Sequence, residues 1–277
     1  MRFLLALFFV SLLHAQVYTQ KDVEVCDSVF NLAVSESLQD KPINEIIIEI
    51  GKTLIGTDYQ AHTIEPESKE EAVIYLTGFD CYTFLETCLA FSRCLKQGET
   101  NFDHFVKEVI NIRYRNGKIK EYPSRLHYFS DWIYDTDKRG ITKDITKEIG
   151  GKEYKNNVNF MSTHPGSYKH LKDNPEFVEE MKNIEKDISS RLYYYIPQDQ
   201  IEKLECGIQS GDLIGITTNV KGLDISHTGI AYKKENGRIH LMHAPSIGSK
   251  VHISELPLSD YIKKNKIQTG VMIARPL

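Results

Sequence analysis

The stretch Asp224–Ser246, "DISHTGIAYKKENGRIHLMHAPS", decides how this chain reads. Two runs rich in β-formers flank Asn236-Gly237, which predicts a β-hairpin. The register of that hairpin determines which side chains meet. A two-residue turn at Asn236-Gly237 pairs Glu235 with Arg238. Because strand side chains alternate between faces, that register separates His227 from His243. A three-residue loop, Glu235-Asn236-Gly237, pairs Lys234 with Arg238 instead, with Gly237 as the left-handed residue of a bulge. His243 then lies opposite Gly229, and His227 becomes its diagonal neighbour on the same face, roughly 7 to 8 Å away at the backbone. Gly229 leaves room between the two rings.

Working outward, Gly207 to Leu277 reads as strands: "GDLIGITT", "SHTGIAYKK", "GRIHLMHA", "KVHIS" and "GVMIAR". The first half reads as helices. Residues 21–36 carry apolar side chains at helical spacing. Pro42 opens a second helix that Gly56 stops. An apolar run at 72–76 precedes a helix over 79–95, and Asn101 caps another over 102–114. Helices first and an antiparallel sheet after them is α+β organisation. Residues 115–195 are polar, aromatic and weakly periodic, apart from a helix at 175–192, and are expected to form a substrate-binding insertion.

A net charge of -4 with no long Lys/Arg run argues against a nucleic-acid partner. Residues 1–15, "MRFLLALFFVSLLHA", have the layout of a secretory signal peptide: Arg2, a short apolar core and a small residue before Gln16. The expectation is an exported chain, periplasmic or secreted, with no stable membrane insertion after cleavage. The mature residues 16–277 are expected to form one monomeric domain. An odd number of cysteines, five, leaves at least one thiol free in such a protein.

One cysteine stands apart. In "FDCYTFLE", Phe79–Glu86, Cys81 sits where a strand-like run ends and a helix begins. The positive end of the helix dipole is expected to stabilise its thiolate. A cysteine nucleophile also needs a base, and the base an orienting group. His227 and His243 are the candidates. Asp80 is either the helix N-cap or a substrate contact. Arg125, His127 and Trp132, with His164 and Tyr168, are candidate substrate-binding residues, because sugars and carboxylates are held by aromatic faces and charged donors. No H-E-x-x-H and no spaced His/Asp/Glu set stands out, so neither metal nor cofactor is expected.

"GTDY" (56–59), "FDCYTFLE", "SHTGIAY" and "HLMHAPS" together resemble the motifs of the NlpC/p60 cysteine peptidase superfamily. Tyr82-Thr83 stands where that superfamily usually has Ser-Gly. This departure, with "SRLHYFSDWI" and "FMSTHPGSY", is similar to one branch, the N-acetylmuramoyl-L-alanine amidase-like family catalogued as domain of unknown function 1460. The resemblance implies a papain-like core, with Cys81 as nucleophile, His227 as general base and His243 orienting it. Tyr59 and the Cys81 N–H would face the oxyanion. The implied reaction is cleavage of the lactyl–L-Ala amide of peptidoglycan fragments, with a preference for anhydro-muropeptides. Two alternatives stay open: an endopeptidase cutting between D-Glu and the diamino acid, and an inactive wall-binding module.

Overall fold

The computed structural model describes residues 16–65, 69–246 and 249–277. The expected signal peptide, residues 1–15, lies outside them. Ten helices are present among the described residues: α1 (Gln20–Ser35), α2 (Ile43–Thr53), α3 (Cys81–Gln97), α4 (Phe102–Arg113), α5 (Phe129–Lys138), the single turns α6 (Phe160–Thr163) and α7 (Lys169–Lys172), α8 (Pro175–Ser190), α9 (Ile201–Leu204) and α10 (Leu258–Lys263). The strands are β1 (Gln16–Val17), β2 (Ala72–Val73), β3 (Thr142–Asp144), β4 (Lys152–Tyr154), β5 (Tyr193–Pro197), β6 (Leu213–Thr218), β7 (Ile225–Lys233), β8 (Ile239–His243), β9 (His252–Ile253) and β10 (Gln268–Pro276).

The main sheet runs β4-β5-β10-β6-β7-β8-β9, with β3 also on β10. All its neighbours are antiparallel. The α+β expectation therefore holds. The segment 115–195, expected as a substrate-binding insertion, is built into the sheet. It supplies β3, β4 and β5 to the sheet, and it places Phe129 and Trp132 in the core. Short strands flanked by charged residues leave little period-2 signal, which is why the sequence hid them.

Each face of the sheet is covered. Ile230, Met242, Leu213 and Met272 pack against α2, α3 and α4 in one apolar cluster. Ile214, Ile216, Ala231, Ile239, Leu241 and Ile273 point the other way, onto Ile201, Leu258 and Ile262 of α9 and α10. The alternation along β7 and β8 assigns the site residues to faces. Thr228 belongs with Ile230, toward α3. His227 and Gly229 belong with Ala231, and His243 with Leu241, on the α10 side.

Helix α3 is buried on most of its circumference, from Thr83 to Leu95, so its start is fixed by more than one device. Asp80 accepts from the main-chain N–H of Tyr82 at 3.0 Å and of Thr83 at 2.7 Å. The Thr83 hydroxyl oxygen in turn accepts from the Asp80 N–H at 3.0 Å, closing a capping box. Gly98, at φ 76°, ends the helix in the left-handed region.

Candidate active site

The turn between β7 and β8 is the three-residue form. Lys234 N–H donates to the Arg238 carbonyl at 3.0 Å, Gly237 N–H to the Lys234 carbonyl at 2.9 Å, and Gly237 has φ 81°. Ile230 therefore pairs with Met242, which puts His243 opposite Gly229. The two histidine rings meet: His227 Nε2 lies 2.7 Å from His243 Nδ1, with the rings at 77°. A Cβ on Gly229 would sit 2.7 Å from Leu241 and 2.9 Å from the Met242 carbonyl oxygen. Only glycine lets the two strands close this far.

β8 ends at His243, while β7 runs two residues further back, to His227 and beyond. The start of α3 lies against this extension. Thr228, the residue after His227, donates its hydroxyl to the Cys81 carbonyl at 2.7 Å. Tyr59 reaches the same place from another segment. It forms a parallel bridge with Phe79, and Gln60 N–H donates to the Phe79 carbonyl at 2.9 Å. Three chain segments converge here: Tyr59 bridges Phe79, Thr228 bonds the Cys81 carbonyl, and His227, next to Thr228, meets His243.

The electrostatics differ from the sequence expectation at one point. The Cys81 thiol is not pushed down. Burial and the neighbouring Asp80 carboxylate push it up to about 11, against hydrogen bonding from Thr228 and from the residue's own N–H. Removing the sulfur from water disfavours its anion more than the helix start favours it. Burial also lowers His227 to about 4. His243 falls to about 2, through burial and then the neighbouring His227 and His252. At neutral pH the resting site holds a neutral thiol and neutral imidazoles. The Tyr59 hydroxyl is pushed up by burial and then by Cys81 and Asp80.

The expected substrate-binding residues fare unevenly. Asp80 is the N-cap, its carboxylate engaged by the helix start. Arg125 is buried and fully engaged: it donates to Glu70 at 2.9 and 2.8 Å, to Glu65 at 2.7 Å and to the Ile64 carbonyl at 3.1 Å. It braces the loop after Tyr59 and has no fork left for a ligand carboxylate. Trp132 is 0% exposed and stacked on Phe129, so it is core and cannot serve as a sugar platform. Aromatic and acidic residues alternate around it in α5, from Phe129 and Asp131 to Tyr134 and Asp135, a mixture that sequence reading cannot separate from an aromatic binding face. His127 donates or accepts through Nε2 with the Tyr122 carbonyl at 3.0 Å, and burial and Arg125 lower it to about 3. It lines a cavity of about 200 Å³ with Tyr82, Glu86, Arg113 and Leu126, just beyond the residue that follows Cys81. His164 is exposed and stacked on Phe160, away from these contacts, and Tyr168 packs against the core.

Two further buried residues hold the first turns of α3. Thr228 was hidden in plain sight, since alternation from His227 points it toward α3. Glu86 is 0% exposed and accepts from Arg113 at 2.8 Å, a partner 27 residues away that no local pattern reveals. All five cysteines are free, so Cys26 and Cys206 form no disulfide. Among the described residues no group of His, Cys, Asp or Glu is arranged to hold a metal ion.

Residues 49–271 match the family model described as AmiA-like, N-acetylmuramoyl-L-alanine amidase-like, and the chain belongs to that family. Among solved structures it is similar to an N-acetylmuramoyl-L-alanine amidase from Bacteroides uniformis, at 36% identity and a TM-score of 0.80, over 85% of this chain and 99% of that one. A Bacteroides fragilis protein named as a candidate xylanase aligns at 40% identity and a TM-score of 0.76, over 81% of this chain and 98% of that one. A Legionella pneumophila protein of the family model DUF1460 shares the fold at 23% identity and a TM-score of 0.68, over 94% and 97% of the two chains. No curated protein sequence matches the chain.

Proposed function

We propose that this chain is an exported cell-wall hydrolase of the cysteine type. It would be an N-acetylmuramoyl-L-alanine amidase on a papain-like NlpC/p60 core, acting on anhydro-muropeptides. The observation that carries the reading is the 2.7 Å contact of His227 Nε2 with His243 Nδ1, one residue from the Thr228 hydroxyl bond to Cys81. A neutral thiol needs a base, and a base needs its tautomer fixed. The family membership and the amidase from Bacteroides uniformis supply the class of bond.

In this mechanism His227 takes the Cys81 proton as the sulfur attacks the lactyl carbonyl carbon. The oxyanion faces the Tyr59 hydroxyl and the Cys81 N–H, the first-turn donor that Asp80 leaves over. His227 returns the proton to the alanine nitrogen as the C–N bond breaks, leaving a thioester and a free peptide. Water, deprotonated by His227, then cleaves the thioester and restores the thiol. The name given to the Bacteroides fragilis relative points to glycoside cleavage, which uses two carboxylates flanking the bond. Asp80 beside Cys81 is committed to the helix cap, which favours amide chemistry here.

The test is mass spectrometry of products from one defined anhydro-muropeptide. An intact stem peptide plus a disaccharide bearing a free lactyl carboxylate supports the amidase. A clipped disaccharide-dipeptide would move the cut to the D-Glu bond and make the chain an endopeptidase. Unchanged substrate, bound but never turned over, would leave a wall-binding module.

A further inference from the structure

The His227–His243 contact contains one proton, and its position decides whether the site can work. If the proton belongs to His227 Nε2, then His227 Nδ1 is bare and can accept a proton from a thiol. His243, neutral, must then carry its own hydrogen on Nε2. If the proton belongs to His243 Nδ1, then His227 carries its hydrogen on Nδ1 and cannot act as a base. In that second case His243 Nε2 is a bare lone pair. What surrounds His243 Nε2 therefore selects between a competent and an incompetent site.

That atom is buried and has no hydrogen-bond partner among the described residues, in a side chain 0% exposed. Two rings flank the imidazole besides His227. Tyr261 of α10 stands at 5.3 Å between centroids and 86°, and His252 of β9 at 4.8 Å and 67°. An aromatic face is negative and an edge positive. An N–H directed at a ring face is attracted, while a lone pair in the same place is repelled. The phenol ring is the more electron-rich of the two and stands nearly perpendicular to the imidazole. His252 Nδ1 is already engaged with the Lys250 carbonyl at 2.8 Å.

We propose that Tyr261 is a positioning residue: its ring holds the hydrogen of His243 on Nε2, and so keeps His227 Nδ1 free to receive the proton of Cys81. The proposal rests on the amidase reading for its catalytic consequence, but the tautomer itself can be read without turnover.

The experiment uses the full chain with Cys81→Ala, ¹⁵N-labelled at histidine, in which long-range ¹H–¹⁵N correlations assign the protonated nitrogen. The hydrogen of His243 is expected on Nε2, and to stay there with Tyr261→Phe, which keeps the ring. Tyr261→Leu should move it wholly or partly to Nδ1. On the Cys81 background, Tyr261→Leu should lower kcat at least about fivefold with KM little changed, the cost of stranding a buried donor, while Tyr261→Phe stays within about twofold. His252→Ala should leave the tautomer in place. A wild-type spectrum with the hydrogen on His243 Nδ1 overturns the proposal even if Tyr261→Leu fails to fold. So does a folded Tyr261→Leu with an unchanged tautomer, or a shift caused by His252→Ala alone. Failure of the amidase reading shows differently, as a wild-type protein that does not turn over muropeptides while its tautomer is as described.

Discussion

Gly229→Ala tests how closely the hairpin geometry controls the site. The new methyl carbon would lie 2.7 Å from Leu241 and 2.9 Å from the Met242 carbonyl oxygen. Leu241 can rotate, but the carbonyl is main chain in the β7–β8 ladder, one residue before His243. Restoring an ordinary contact of about 3.4 Å or more requires β8 to retreat by about half an ångström. Overpacking of this kind costs about 1–3 kcal/mol. For a chain of this size that lowers Tm by roughly 2–10 °C. The same movement opens the 2.7 Å contact of His227 with His243. Small misplacements of catalytic groups are expensive, so kcat on a defined muropeptide should fall by about 10- to 100-fold. Thermal unfolding by circular dichroism and steady-state kinetics read the two effects. Unchanged Tm and unchanged kcat in this variant would show that neither the strand contact nor the histidine pairing depends on this close approach.

Two further outcomes follow from buried charge. Arg113→Met leaves the Glu86 carboxylate buried with neither oxygen partnered, since its Oε1 has no partner already; a loss of about 3–5 kcal/mol is expected in urea unfolding, and the double change Glu86→Leu with Arg113→Met should recover most of it. The fold also holds three histidines neutral, with His127 lowered to about 3, His227 to about 4 and His243 to about 2. The unfolded chain protonates them near pH 6.5 and the folded chain does not. Stability is therefore full above about pH 6.5 and drops by roughly 1.4 kcal/mol per pH unit for each ring as pH falls toward 4. Urea midpoints at pH 7, 6 and 5 read this slope, and His127→Gln should reduce it by about one third. A flat midpoint across that range would contradict the neutral-histidine assignment.

Much of this was legible in the residues, for identifiable reasons. The start of α3 was readable because Asp80 and Thr83 are local capping signals, and Pro42, Asn101 and Gly237 mark boundaries through their own backbone chemistry. The hairpin register was reducible to two alternatives because alternation is strict. What escaped depends on distant partners. Trp132 and Arg125 look alike in sequence whether they face a ligand or the core, and only the stacking on Phe129 and the pairing with Glu70 and Glu65 decide. The thiol's upward shift is a burial effect, which a helix-start motif cannot reveal. Tyr261 lay in a stretch read as strands, and its helix α10 is only six residues long.

In the proposed mechanism the Cys81 sulfur becomes acylated. Rapid acid quench of the protein mixed with a defined anhydro-muropeptide, followed by peptide mass mapping, measures this directly. A transient mass gain equal to the sugar-lactyl acyl group is expected on the peptide containing Cys81, with no turnover by Cys81→Ala. Full turnover by that variant, or an acyl group mapped to another residue, would contradict it.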